Sequence, residues 1–218
     1  VDQSRINTVV VAANMAYQAT DALLFQRRVK LLVQSCKQCR VVYISSDGIF
    51  DGQQGNYSEQ DIPSPITLYG RNLYYFEEAI QSLCPDYCII RPSYLYGYSL
   101  SQLDARLSQA RARLLAGERL EFFIDMWKSP MEVNQVAEAI TLLTCSSYTG
   151  IVHVAGPAMS IYDFYRQAMA CLKVPYQSLV PITMPADCTY PKNTSLDTRL
   201  MKKLTTIQPL SIDRALLV

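Results

Sequence analysis

The sequence has one histidine, His153, so no pair of imidazoles exists to seat a metal ion. Its setting, Ile151-Val152-His153-Val154-Ala155, is apolar and strand-like, which makes a hydrogen-bonded core or edge histidine the simpler reading. No apolar run reaches the ~18 residues that crossing a bilayer requires. The start, Val1-Asp2-Gln3-Ser4-Arg5, does not read as a signal peptide, so the expected compartment is cytoplasmic. Net charge is scarce too. Lys and Arg number 20 against 19 Asp and Glu, which gives +1 and no long-range field to draw nucleic acid or an anionic membrane. No Gly-x-Gly-x-x-Gly or Gly-x-x-Gly-x-x-Gly occurs anywhere. The phosphate-cradling turn of a dinucleotide fold, with the first strands around it, is therefore expected to be absent from this chain.

What is present can fold unaided. A chain of 218 residues, half of them hydrophobic, can bury one core of ordinary size or a core with a small lobe. Its seven cysteines are an odd number, several lie in apolar stretches, and reduced thiols are expected. Cys36-Lys37-Gln38-Cys39 has a redox spacing but closes a helix, whereas a thioredoxin-like motif opens one.

Strand and helix signals alternate along the first half. Thr8 to Ala13 reads as a buried strand, Asp21 to Cys36 as a helix of 3.6-residue period, and Arg40 to Ser45 as a strand. A polar loop from Asp47 to Pro65 follows, then a helix from Leu68 to Leu83 and a strand from Tyr87 to Arg91. Continuous apolar strands separated by helices predict an α/β, doubly wound, Rossmann-like parallel sheet. Beyond Gly97 the pattern loosens into a basic amphipathic helix (Leu103 to Leu115), a strand (Leu120 to Ile124), a helix (Val133 to Leu143), a strand at His153, a helix (Ile161 to Leu172) and a Pro-rich tail. Residues 1–97 are thus expected to form the dinucleotide-binding-type portion. Residues 98–218 are expected to form mostly a smaller C-terminal substrate lobe, with elements returning to the sheet.

The chemistry-bearing block is Val41-Val42-Tyr43-Ile44-Ser45-Ser46-Asp47-Gly48-Ile49-Phe50-Asp51-Gly52, then Tyr57-Ser58-Glu59, then Pro65-Ile66-Thr67-Leu68-Tyr69-Gly70-Arg71-Asn72-Leu73. A strand ending in Ser-Ser-Asp puts hydroxyls at the carboxyl edge of the sheet, and a tyrosine at the head of the next helix can swing back to that edge. This block resembles the extended short-chain dehydrogenase/reductase family, in its dTDP-4-dehydrorhamnose reductase-like branch. The resemblance continues through Glu77, Arg91-Pro92-Ser93-Tyr94-Leu95-Tyr96-Gly97, Ser129-Pro130-Met131-Glu132-Val133, Gly150 to Gly156, and Pro191 to Asp197. It implies a reductase or epimerase of sugar nucleotides using NAD or NADP. Ser46 would polarise a sugar C4 carbonyl and Tyr69 would donate the proton. It further implies cofactor contacts at Ala12, Ala13, Ser45, Tyr69, Arg91 and Pro92, substrate contacts at Asp47, Tyr94 and Asn193, and a homodimer through the Leu68–Leu83 helix, whose Tyr74, Tyr75 and Phe76 suit an interface.

One departure cuts against catalysis. The family's lysine, one helical turn past the tyrosine, holds the nicotinamide ribose and lowers the phenol's pKa; here it is Leu73. An ammonium ~4 Å from a phenolate contributes up to roughly 4 kcal/mol at an effective dielectric near 20. Leucine contributes none of it, and Tyr69 is expected to titrate near its free value of about 10. Arg71 points to the other side of the helix, and Asn72 is the one polar neighbour that could meet a ribose hydroxyl. Further positions differ. The family's Asn-Ala-Ala turn reads Val11-Ala12-Ala13-Asn14, Arg27 or its neighbour stands where the family has an asparagine early in the next helix, the interval between these two landmarks is shorter near Tyr17, and the family's Arg-Pro reads Tyr190-Pro191. Two functions follow: a catalytically impaired reductase of a nucleotide-linked 4-keto sugar, or a non-catalytic binding or regulatory protein on the same fold. The regulatory subunit of methionine adenosyltransferase, similar to the same reductases, exemplifies the second.

Overall fold

The computed structural model describes residues 7–13, 16 and 21–217, so the expectations for Asn14 and Tyr17 lie outside it. The chain runs β1 (Thr8–Val11), α1 (Ala22–Cys36), β2 (Arg40–Ile44), α2 (Leu68–Leu83) and β3 (Tyr87–Pro92). Four two-to-four-residue strands and a helix follow: β4 (Leu95–Tyr96), β5 (Tyr98–Ser99), β6 (Gln102–Leu103), α3 (Ala105–Leu115) and β7 (Leu120–Phe123). Next come β8 (Trp127–Lys128), β9 (Met131–Glu132), α4 (Val133–Cys145), β10 (Gly150–Val154), β11 (Met159–Ser160) and α5 (Ile161–Cys171). The chain closes on β12 (Leu179–Ile182), α6 (Arg199–Thr205) and α7 (Ile212–Leu216).

Four strands form a fully parallel sheet in the order β1-β2-β3-β10. Side chains alternate across it because the strand period is two. Val41, Tyr43 and Ile89 join the cluster under α1 and α2, while Val42, Cys88 and Ile90 join Val136, Ala139 and Leu143 of α4 on the other face. This two-sided covering is the doubly wound arrangement expected. The helices form for local reasons. Asp21 caps α1 by accepting from the Leu24 N–H at 3.0 Å, and Phe25, Val29 and Val33 are buried at four-residue spacing. α1 then ends in a turn closed by Cys39 N–H to Cys36 O at 2.9 Å, so the two thiols sit where a helix closes.

β1 departs from the buried strand expected. Only Val11 is buried, and Val10 is 46% exposed. β1 stands at an edge of the described sheet, and α1 covers only the face that Val9 and Val11 present. A third cluster, built on Leu107, Leu114, Phe164, Tyr165, Leu179 and Ile212, is the core of the C-terminal lobe. The Pro-rich tail is more ordered than its sequence suggests: it supplies β12, which pairs β7 in parallel, and the short helices α6 and α7. His153 is buried in β10, its Nδ1 3.1 Å from the Tyr57 carbonyl and its Nε2 3.4 Å from Arg91 Nη1. A carbonyl only accepts, so Nδ1 carries the proton. Among the described residues all seven cysteines are free thiols, and no helix is long and apolar enough to cross a membrane.

Candidate functional site

At the carboxyl end of β2 the chain turns sharply. Ser46 accepts the Gly48 N–H at 3.2 Å and caps a one-turn 3-10 helix over Asp47–Ile49. Across from it, Thr67 caps α2 by accepting the Gly70 N–H at 3.0 Å, which starts the helix one residue before Tyr69. Gly70 is what lets the two pieces meet. A Cβ there would lie 2.1 Å from the Gly48 carbonyl oxygen, and one on Gly48 would lie 3.4 Å from the Tyr69 ring. The Tyr-Gly pair thus presses the head of α2 onto the end of β2, and Ser46 and Tyr69 share a side-chain hydrogen bond. Burial pushes the Tyr69 phenol above its ordinary value; the bond to Ser46 opposes this and the Asp47 charge adds to it. A phenol in this setting stays protonated at neutral pH. It can donate to a carbonyl oxygen and serves poorly as a base.

Asp47 is the hub beneath. Its Oδ1 accepts from Ser46 Oγ at 3.0 Å, and its Oδ2 accepts from Ser93 Oγ at 2.9 Å, Thr194 Oγ1 at 2.6 Å and Lys128 Nζ at 2.9 Å. Burial works to raise this carboxyl, but the Lys128 charge and the three donors outweigh it and hold the pKa below the usual range. Both oxygens are engaged by protein groups, so Asp47 organises the site from below, and it lines the cleft where the resemblance implied a substrate contact. Around this hub lies a cleft of about 660 Å³ lined by Ser46, Gly48, Tyr69, Ser93, Tyr94, Arg106 and Lys128, with Thr189, Tyr190 and Pro191 returning from the tail. Tyr94 shares a hydrogen bond with Tyr165 at 2.8 Å, and the Arg106 guanidinium stacks 3.9 Å over its ring.

Several expected contacts lie elsewhere. Arg91 is buried in a two-pronged ion pair with Glu77 (Nε–Oε1 3.0 Å, Nη2–Oε2 2.6 Å) beneath the Phe50 ring, so its side chain cannot reach a cofactor. Pro92 is buried at the end of β3. Asn193 does not line the cleft; its Oδ1 accepts from Ser195 N–H and Oγ, and its amide fills the space beside Gly55. Phe76 packs on Tyr43, ring centroids 4.3 Å apart, and is not available to a dimer face. Lys128, Arg106 and Thr194 were not anticipated. The one signal for Lys128 is a lone cation immediately before the Ser129-Pro130 segment, and for Arg106 its place in the basic helix.

The residues that would hold a nicotinamide ribose do not fit that group. Residue 73 is a leucine 4% exposed within the α1–α2 core, and the Asn72 amide donates to the Ala16 carbonyl at 3.2 Å. Ala12 and Ala13, exposed at the end of β1, offer backbone and methyl groups only. Ser45 Oγ is buried there without a hydrogen-bond partner among the described residues.

A parallel sheet wound on both faces, with serine and tyrosine meeting at its carboxyl edge, is the architecture of the extended short-chain dehydrogenase/reductases. The chain belongs to the family described as RmlD substrate binding domain, which matches residues 8–217. It is 32% identical over 143 residues to a dTDP-4-keto-6-deoxy-D-glucose reductase of Streptomyces niveus, covering 62% of this chain and 47% of the relative. It is 28% identical over 150 residues to methionine adenosyltransferase 2 subunit beta of Danio rerio, covering 66% and 46%. The chain thus spans about half the length of these curated relatives. Its structure superposes on a dTDP-4-dehydrorhamnose reductase of Bacillus anthracis solved in complex with NADP, with a TM-score of 0.80 over 96% of this chain and 78% of that one. Identity there is 21%, so that likeness is one of fold.

Proposed function

We propose that this protein binds a nucleotide-linked keto sugar in the cleft at the carboxyl edge of the sheet and that hydride transfer from NAD or NADP is crippled in it. The observation that carries the reading is Leu73, buried in the core where the family places an ammonium. The substrate side retains its parts: Ser46 and Tyr69 offer two hydroxyls on one wall, Tyr94 offers a flat face, and Arg106 offers positive charge for a diphosphate-linked ligand. The cofactor side lacks the groups that would orient a ribose and lower the phenol. Tyr69 therefore holds a proton toward a bound carbonyl and does not remove one.

Calorimetry with a dTDP-linked 4-keto-6-deoxy sugar and with NADPH, followed by turnover assays of wild type and Leu73→Lys, tests this. The sugar nucleotide binds, NADPH binds weakly, and wild-type turnover falls well below the ~1 to 1000 per second typical of enzymes. Leu73→Lys gains activity wherever the folded protein is recovered. Wild-type turnover within the ordinary range would sink the reading. The similarity to methionine adenosyltransferase 2 subunit beta favours a second one, a partner-binding protein that keeps the nucleotide cleft as a ligand sensor. Under it, Leu73→Lys gains nothing.

A further inference from the structure

Lys128 occupies a place that neither the serine–tyrosine pair nor the missing residue-73 lysine explains. It lies on β8, which is held on both sides: β11 pairs it antiparallel with Met159 opposite Lys128, and the tail bridges it in parallel at Trp127 and Asn193. The backbone on either side of the side chain is therefore fixed by strand pairing. An ammonium has three donors. One goes to Asp47 Oδ2 at 2.9 Å and one to Thr194 Oγ1 at 2.8 Å. Thr194 in turn donates to the same Asp47 oxygen at 2.6 Å, closing a three-membered ring of hydrogen bonds around the nitrogen. Asp47 and Thr194 are buried, whereas the Lys128 side chain keeps 18% of its surface and lines the cleft. The third N–H has no acceptor among the described residues. Asp47 also ties Lys128 to the reaction wall, since its other oxygen accepts from Ser46, the partner of Tyr69.

We propose that Lys128 determines specificity for the sugar of the bound nucleotide, giving its third N–H to an acceptor oxygen on the sugar. This rests on the sugar-nucleotide reading of the cleft and adds a named recognition group to it. A cation held by two buried acceptors loses little freedom when it meets a third, so the contact discriminates between ligands that present the oxygen and ligands that do not. The competing explanation is that Lys128 only neutralises the buried Asp47 carboxylate.

The two differ in what removing the ammonium does. Calorimetric affinities for dTDP-4-keto-6-deoxyglucose and for dTDP alone are measured on wild type, Lys128→Met and the double variant Asp47→Asn/Lys128→Met. Wild type prefers the keto-sugar nucleotide, and Lys128→Met loses about tenfold to hundredfold of that preference, the range of one hydrogen bond to a charged group, with dTDP affinity unchanged. The double variant removes the stranded carboxylate together with its cation, and so keeps the test meaningful if Lys128→Met folds poorly. It too lacks the preference. A double variant that regains it assigns Lys128 to neutralising Asp47 and overturns the proposal. Retention of the preference in Lys128→Met overturns it while leaving the sugar-nucleotide reading intact. A wild type that binds neither compound overturns both.

Discussion

At Gly70 two opposing effects of one methyl group can be weighed. In an ordinary helix Gly→Ala stabilises by roughly 0.5–1 kcal/mol, because alanine loses less backbone entropy. Here the added Cβ would sit 2.1 Å from the Gly48 carbonyl oxygen, a backbone atom that cannot rotate away. Overpacking of this kind costs about 1–3 kcal/mol. Gly70→Ala is therefore expected to destabilise the protein, seen as a lower denaturation midpoint in urea, and to weaken sugar-nucleotide binding by parting Tyr69 from Ser46. An unchanged midpoint would mean that α2 can slide without loss. The meeting of Ser46 and Tyr69 was legible in the sequence because it lies within one block, Ser46 to Gly70, as was the leucine at position 73, one turn beyond Tyr69. The surroundings of Arg91 and Asn193 were not legible for the opposite reason: what their side chains meet is decided by Glu77 and Phe50, or by Gly55 and Ser195, which a local pattern does not reveal. Lys128 reaches Asp47 across 81 positions of sequence, a separation no motif spans.

Between elements, the Arg91–Glu77 pair fastens α2 to β3, with both groups almost wholly buried at 1% and 0% exposure. Removing two charges from water costs several kcal/mol per ion, and the two-pronged geometry offsets this without making the pair a source of net stability. Breaking it from one side leaves a buried charge alone. Arg91→Met is expected to cost about 3–5 kcal/mol, while Arg91→Met with Glu77→Leu recovers much of that loss. Guanidinium unfolding of the two variants checks the order, and equal losses would show that the pair's geometry, not its charge balance, matters most. The helices and the inner strands were legible because each carries a strong local signal: α2 buries Leu73, Phe76, Glu77 and Ile80 on one stripe, and β2 and β3 hold continuous apolar runs over residues 41–44 and 87–90. The tail hid its elements because β12, α6 and α7 are four to seven residues long, too short for a period to register. The Tyr57 and Glu59 segment proves to be stitching. Tyr57 bridges Leu196, and Glu59 accepts the His153 N–H at 3.0 Å, which binds the loop after β2 to the tail and to β10.

At the scale of the molecule, a buried carboxylate hub and a buried histidine govern the response to acid. Asp47 draws the ends of β2 and β3, β8 and the tail to a single carboxylate, and His153 sits where β10 meets the Tyr57 loop and Arg91. Burial, reinforced by the Arg91 charge, pushes the His153 imidazole down to about 3, against about 6.5 in an unfolded chain. Between those values the unfolded chain binds a proton that the folded one refuses, so stability falls as pH drops from about 6.5 toward 3. The slope from this one group reaches about 1.4 kcal/mol per pH unit at most. Asp47, held low, contributes stability that is lost only further down, as pH falls through its own depressed range. Glu59 works the other way, because burial raises its carboxyl and the folded state takes up that proton first. The histidine is isolated by difference. His153→Asn keeps an N–H for the Tyr57 carbonyl and cannot charge. Urea unfolding from pH 7 to pH 4.5 is expected to show a steeper loss in wild type than in the variant, even if the variant starts less stable. Parallel curves would mean that His153 is protonated within the folded protein, and that the Arg91 guanidinium beside it is screened more than the buried geometry implies.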